Sequence, residues 1–472
     1  MAATADKEYP SVDASPVKSF FVSMLTRDIT LEEAILDLLD NCVDGIHRQN
    51  GTDGDQPYAG YKAEIEFNKD SFSISDNCGG IPWKLYNYAF RMGPDPNRSD
   101  RAPGTIGVYG IGLKRAMFKM GRHCLISTQN ADDRYEIEIT PKWLADENLW
   151  DIPVAAATRT KKKDGTEIVI GHLYPGIKAR FTENAEAFES DLSRMIATHY
   201  AFIIERGFAV SINGTRVKPK PIKLIFGRKE PRSKQPAIQP FIFKAEADDV
   251  SVFLAVGLTR PIPSQDEAAS EQEETKYSSL DAGWTIVCNE RAVLYCDRTE
   301  LTGWGEASVP RYHNQFIAIA GIVEFKSDDP SKLPTTTTKR GVDASSALYL
   351  QIKNKMREGM RLFVDYTNKW KGLAEESQQH IKQGEALALT QLKERARQLA
   401  FVTTRRTVPI GQQYTPSLPM PKAVEGRTRR ITFSRDIDEI RRVSEYLFED
   451  SAVPPSAVGE QCFELALREA TR

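Results

Sequence analysis

Between Thr30 and Gly45 the chain reads TLEEAILDLLDNCVDG, and Leu31, Ala34, Ile35, Leu38, Leu39, Cys42 and Val43, with Ile46 beyond, recur at three-and-four spacing. That period predicts an amphipathic helix with one face in a core. Thr30 followed three residues later by Glu33 predicts a capping box at its start. The opposite face is acid and amide, with Glu33, Asp37, Asn41 and Asp44 following one another along it. Like charges four apart weaken a helix by about 0.2–0.5 kcal/mol per pair. The face therefore either meets a cationic partner or is simply solvated.

The same reading of apolar spacing divides the rest of the chain. Phe20, Phe21, Met24 and Leu25 predict a short packing helix ahead of the acidic one. Tyr61 to Phe67 and Phe72 to Ile74 alternate as a strand pair, which brings Asp76 to a strand end, in SISDNCGGIP, where paired glycines follow. An Asp there is either a turn cap or a ligand. Gly104 to Arg115, GTIGVYGIGLKR, places Gly107, Gly110 and Gly112 before an apolar-periodic run, a loop feeding a helix N-terminus of the kind that binds phosphate. Between these motifs, Met92 to Gly104 is polar and proline-broken and reads as a lid, in which Arg98 or Arg101 either touches a phosphate or is merely solvated. Strands are expected at Glu136 to Ile139 and Glu167 to Ile170, the second preceded by Gly165-Thr166.

In this order, the acidic helix ending in Asn41, the Asp76-glycine turn and the glycine loop resemble the GHKL superfamily of ATPases: gyrase B, the ninety-kilodalton heat-shock chaperones, histidine kinases, MutL and MORC. The resemblance spans roughly residues 20 to 175. It implies an α+β chain that begins with a Bergerat α/β sandwich and binds ATP with Mg2+ without a Walker loop. Asp76 would accept the adenine amino proton, with Gly80 and Thr166 beside it. Asn41 would hold the metal, with Asp44 nearby. Gly107, Gly110 and Gly112 would wrap the phosphates, with Lys114 adding charge. Most relatives place a Glu four residues before the metal-binding Asn to orient the attacking water; here Asp37 stands there, one methylene shorter.

From about Gly176 the pattern changes. A helical run from Glu183 to Tyr200 leads to a hairpin at Phe208 to Pro219, marked by Asn213-Gly214. Val250 to Leu258, Trp284 to Tyr295 and Gln315 to Phe325 are β-rich, with an acidic loop at Pro263 to Ser279. This block resembles the transducer domain of the gyrase B and MutL clamps, and Lys339, in LPTTTTKRGVD, stands where their transducer lysine enters the ATP site as a catalytic charge. The expected domains are residues 1–175, 176–345 with Lys339, a helical stalk over 346–400, a Pro-rich linker over 401–430 and a small helical segment over 431–472. In the stalk, Leu348 to Trp370 and Glu375 to Leu399 read as two helices; in the last segment Val443, Leu447, Phe448, Phe463 and Leu467 are candidate packing residues.

Composition changes this picture little. At 472 residues and a formal charge of -2, the chain has room for several domains and no overall polyanion signature. Six scattered cysteines read as free thiols of a cytoplasmic protein, and no run is apolar enough to span a membrane. Across residues 344–430 basic side chains exceed acidic ones by 9, a candidate for nonspecific nucleic-acid contact or a solvated stalk. No His precedes the acidic helix, which disfavours the histidine-kinase branch. The function expected is an ATP-hydrolysing homodimeric clamp on a macromolecular client. The alternative is a nucleotide-sensing interaction module or chaperone-like remodeller with negligible turnover.

Overall fold

Two helices, α1 (Lys18–Arg27) and α2 (Leu31–Asn50), open the computed structural model, which describes residues 17–51, 54–91, 104–107, 110–157, 163–227, 236–264, 267, 281–336, 338–382, 384–404, 409–421, 431 and 433–471. Residues 1–16, the expected lid up to residue 103 and most of the acidic loop lie outside these residues. At the start of α2 the Thr30 hydroxyl accepts the Glu33 N–H while the Glu33 carboxylate accepts the Thr30 N–H, the reciprocal cap that the sequence calls for. Ala34, Ile35, Leu38, Leu39, Val43 and Ile46 are buried.

The strands β1 (Lys62–Phe67) and β2 (Phe72–Asp76) follow, then α3 (Tyr86–Phe90), α4 (Gly112–Met120), β3 (Gly121–Gln129), β4 (Arg134–Ile139), α5 (Pro141–Ala145), β5 (Val154–Ala156) and β6 (Gly165–Leu173). After them come α6 (Pro175–Thr182), α7 (Ala185–His199), α8 (Ala201–Glu205), β7 (Ala209–Ile212) and β8 (Thr215–Arg216). One sheet takes all eight strands in the order β5-β4-β3-β6-β2-β1-β7-β8. Its pairs are antiparallel except β1 with β7, whose parallel register aligns Ile65 with Ile212. A parallel neighbour needs a crossover of a dozen or more residues, and the whole chain between β1 and β7 supplies it. α4 packs on α2, β3 and β6, so the helix layer and the sheet enclose one core.

The boundary expected at residue 175 falls inside this sheet. Phe181, Phe188, Leu192, Ile196 and Tyr200 pack in the same core as α2, and β7 covers the edge that β1 would otherwise expose. The Asn213-Gly214 hairpin forms as expected, with φ of 46° and 81°, but it joins β7 to β8 of this first sheet.

The second sheet uses β10 (Phe241–Ala247), β11 (Val250–Leu258), β12 (Gly283–Cys288), β13 (Arg291–Asp297), β14 (Ile319–Lys326), β16 (Val402–Thr404) and β17 (Gly411–Tyr414), in the order β13-β12-β14-β11-β10-β17-β16. A separate pair joins β9 (Leu224–Gly227) to β15 (Gly384–Leu387). The helix α9 (Ala347–Lys369) packs on β10, β11 and β14, burying Ile352, Met356, Met360 and Phe363. Two expectations are corrected here. The single helix predicted over Glu375 to Leu399 is broken into α10 (Ala374–Lys382), β15 and α11 (Leu389–Ala396). The break lies at Gly384, where a Cβ would come within 2.5 Å of Ile225 on β9. The stretch read as a linker instead carries β16 and β17; β17 pairs with β10 through backbone bonds that do not depend on side-chain polarity.

Contacts divide the chain into two compact units, Met1–Pro421 and Lys422–Arg472. The second is a helix pair, α12 (Ile437–Phe448) and α13 (Pro455–Ala470). Of the packing residues expected there, Val443, Phe448, Phe463 and Leu467 stay exposed, because two short helices offer too little area to cover them.

Candidate active site

β2 ends at Asp76, and the turn beyond it fixes the carboxylate. Oδ1 accepts the Cys78 N–H at 2.7 Å and the Thr166 N–H at 3.3 Å, and the Cys42 thiol lies 3.6 Å from Oδ2. Thr166, at the start of β6, also meets the Thr128 hydroxyl at 3.2 Å. Gly80 has a φ of 66°, and a Cβ there would lie 2.1 Å from the Gln129 carbonyl oxygen, so neither the turn nor the packing admits a side chain.

The glycine loop is held from α2. The Ile106 and Gly107 N–H groups donate to the two carboxylate oxygens of Asp44 at 2.6 and 2.8 Å. A Cβ on Gly107 would sit 2.5 Å from Asp44 Oδ2, so the glycine is required for this approach. Gly112 begins α4 directly over Asp37. Lys114 is buried, its ammonium donating back to the Gly110 carbonyl, and burial lowers its pKa to about 7.

Asp37, Asn41, Asp44, Asp76, Gly80, Gly107, Gly110, Gly112, Thr166 and Lys339 line one cavity of about 1100 Å³ counting its open mouth. Among the expected site residues Lys114 does not line it; Arg48 and Arg115, which the sequence reading did not single out, do. Burial raises the pKa of Asp37, against the opposing charges of Lys339, Arg115 and Arg291.

Lys339 reaches this cavity from the segment between β14 and α9. Its Nζ lies 2.7 Å from Asp40 Oδ2, while Asp40 Oδ1 receives Arg291 Nε at 2.6 Å and the Tyr200 hydroxyl at 2.5 Å. Asp40 is fully buried, and although burial alone would raise its pKa, Arg291 and Lys339 pull it below the ordinary carboxylate value. Lys339 itself is raised, because Asp40 and Asp37 outweigh its desolvation. Its backbone is strained, with a φ of 56°, and is pinned by Arg291 Nη1 on its carbonyl at 2.7 Å. Arg340 meets Glu33 at 2.5 Å. The acid face of α2 therefore does have cationic partners, and Arg291, Lys339 and Arg340 come from beyond the first sheet.

A second contact ties the two sheets together. The turn between β12 and β13 places Asn289 and Glu290 at φ of 46° and 67°. Asn289 Nδ2 donates to the Thr105 carbonyl at 3.1 Å, one residue before the loop that Asp44 holds. Glu290 accepts the Tyr58 hydroxyl at 2.9 Å and pairs with Arg206.

Sequence reasoning missed Asp40. It lies three residues after Asp37 and four before Asp44 and reads as one more charge of the acid face; only its burial shows that it must be paired. The basic excess of residues 344–430 is partly consumed internally: Lys353 and Arg357 meet Glu306, Lys355 meets Glu358, and Lys393 meets Glu324. Among the described residues no group of three or more His, Cys, Asp or Glu could hold a metal; an ion held by one protein amide, phosphate oxygens and water needs no such group. Exposed Asn41, which forms no hydrogen bond through its side chain among the described residues, fits that requirement. All six cysteines are free, and among the described residues no helix is long and apolar enough to cross a membrane.

An acid-faced helix, a strand-end aspartate and a glycine loop opening onto one cavity above a mixed sheet are the arrangement of a GHKL-type ATPase domain. Residues 29–167 match the family model described as Histidine kinase-, DNA gyrase B-, and HSP90-like ATPase, and the chain carries that ATP-binding domain within an α+β architecture. No curated protein matches the chain.

Proposed function

We propose that the protein binds ATP with magnesium and hydrolyses it slowly, working as an ATP-operated dimeric clamp or switch on a macromolecular client. The observation that carries this reading is the meeting of Lys339 with Asp40, 299 residues earlier, at the edge of a cavity that Asp37, Asn41 and Asp76 also line. Asp76, with its carboxylate fixed by two backbone amides, accepts the adenine amino proton, and Thr166 adjoins it. Gly110 and Gly112 line the cavity where the phosphates would lie, while the Gly107 N–H, donated to Asp44, holds the loop in place. Magnesium, held by Asn41, would draw negative charge off the phosphate oxygens. Lys114 supports the loop through the Gly110 carbonyl.

Asp37 takes the proton of a water as its oxygen attacks the γ-phosphorus. The bond from that phosphorus to the bridging oxygen breaks, and ADP and phosphate leave. A carboxylate with a raised pKa is a stronger base than an ordinary Asp, which offsets its shorter reach. Lys339 supplies fixed positive charge, with one of its three donors already engaged by Asp40. Because the Lys339 loop is pinned by Arg291 of the second sheet, a change at the γ-phosphate is felt there.

Steady-state ATP hydrolysis, measured beside oligomer size with and without a non-hydrolysable analogue, tests the proposal. Magnesium-dependent turnover with analogue-driven dimers is the expected result. The missing methylene at Asp37 favours one alternative, a nucleotide-sensing module: dimers would then form with ATP itself, without measurable turnover.

A further inference from the structure

Among the described residues four cations stand around Glu33, Asp37 and Asp40 of α2, and three sit in ion pairs of 2.7 Å or less: Arg291 and Lys339 on Asp40, and Arg340 on Glu33. Arg115 is the fourth. Its Nη1 lies 3.6 Å from Asp37 Oδ2, beyond hydrogen-bond distance. Both Asp37 Oδ2 and Arg115 Nε are buried with no hydrogen-bond partner among the described residues. Both side chains are at least nine-tenths buried, at 6 % and 10 % exposure, and both residues line the cavity.

Two orphaned polar groups of opposite charge, close together yet not bonded, imply reactants that satisfy each separately. A carboxylate oxygen needs a donor, and a guanidinium needs an acceptor. A water beside the terminal phosphate supplies both: the water donates to Asp37, and a phosphate oxygen accepts from Arg115. The backbone supports this placement. Arg115 lies in the first turn of α4, three residues after Gly112, whose backbone is packed against Asp37. The neighbouring cation, Lys114, is about 100° away around the helix and turned to the Gly110 carbonyl.

We propose that Arg115 is a catalytic residue that binds the γ-phosphate and stabilises the charge on its oxygens during transfer, a cation supplied by the nucleotide domain itself. This inference rests on the ATPase reading above. As the water oxygen bonds to the γ-phosphorus and the bond to the bridging oxygen breaks, the water proton passes to Asp37. Arg115 keeps its protons throughout and acts only as a donor, in the manner of a phosphoryl-transfer arginine.

The test compares full-length Arg115→Gln and Arg115→Lys with wild type, titrating ADP and a non-hydrolysable ATP analogue, each with magnesium, and measuring kcat. A γ-phosphate contact predicts that Arg115→Gln binds the analogue about tenfold or more weakly, binds ADP within about twofold of wild type, and loses about 100-fold or more in kcat. Arg115→Lys should recover part of the analogue affinity through its charge and little of kcat. An Arg115 that merely steadied Asp37 would weaken both nucleotides alike or neither, and either result overturns the proposal. Wild-type protein that binds neither nucleotide overturns the ATPase reading, and this inference with it.

Discussion

Replacing Asp40 with asparagine isolates the charge that joins the two sheets. The side chain keeps its size, but one oxygen becomes an NH2 group. Both oxygens receive donors, Arg291 and Tyr200 on Oδ1 and Lys339 on Oδ2. Whichever is converted, a donor then faces a donor, and two cations lose their buried counter-charge. Removing one member of a buried pair costs about 3–5 kcal/mol. With two cations served by one fully buried carboxylate, about 5 kcal/mol is expected, much of the roughly 5–15 kcal/mol that holds a domain folded. Guanidinium unfolding followed by tryptophan fluorescence reads this as a lower midpoint. Adding Lys339→Met to Asp40→Asn should restore part of the loss, with a coupling of at least about 1 kcal/mol. The pH dependence has a definite sign. Asp40 is depressed in the folded state, so its contribution is present above the unfolded value of about 4 and is lost as pH falls through the folded value. An unchanged midpoint in Asp40→Asn, or strictly additive losses in the double variant, would refute the argument that this carboxylate holds the sheets together.

Asp76→Asn puts a donor where the adenine amino group needs an acceptor, and ATP affinity should fall about 10- to 100-fold by calorimetry; equal affinity would reduce Asp76 to a turn residue. Asp37→Asn and Lys339→Ala should part company in gel filtration with ATP. The first keeps the lysine and accumulates dimers as hydrolysis fails; the second slows hydrolysis more than binding and blunts assembly. Wild-type turnover in either variant would sink the clamp mechanism. His199 is depressed to about 4 by burial and the nearby Arg291 charge, with its ring on the Ala292 carbonyl. The unfolded chain therefore binds the extra proton first, so stability should fall as pH drops from about 6.5 to about 4 and fall less in His199→Gln. The same pH profile in both proteins would place the sensitivity elsewhere.

What could be read from the chain was local. The cap of α2 and the Asn213-Gly214 turn follow from spacing of a few residues, whereas the gathering of Asp37, Asn41, Asp76 and the glycines into one site was what the family resemblance implied. What escaped depends on distant partners or on rotation. Asp40 looks like one more charge on an acidic helix until Arg291 and Lys339 arrive from far along the chain. Lys114 and Arg115 are adjacent cations, and only the seating of α4 decides which turns inward. The proline-rich composition around β17 obscured a strand, because backbone pairing over Gln412 and Gln413, with β10 on one side and β16 on the other, does not depend on apolar side chains.

The parallel pairing of β1 with β7 has a practical consequence for anyone cutting this chain. A fragment ending where the nucleotide motifs end would retain them all, yet strip β7 and β8 from the sheet and Phe188, Leu192 and Ile196 from beneath it. β1 would become a bare edge carrying Ile65 and Phe67, a template for pairing with another molecule. Such a fragment should precipitate or form ladders of mispaired copies. A piece ending just after Val217 keeps that edge covered. The place to separate nucleotide chemistry from its relay is therefore set by where hydrogen bonding closes, some fifty residues beyond Thr166 of the last motif.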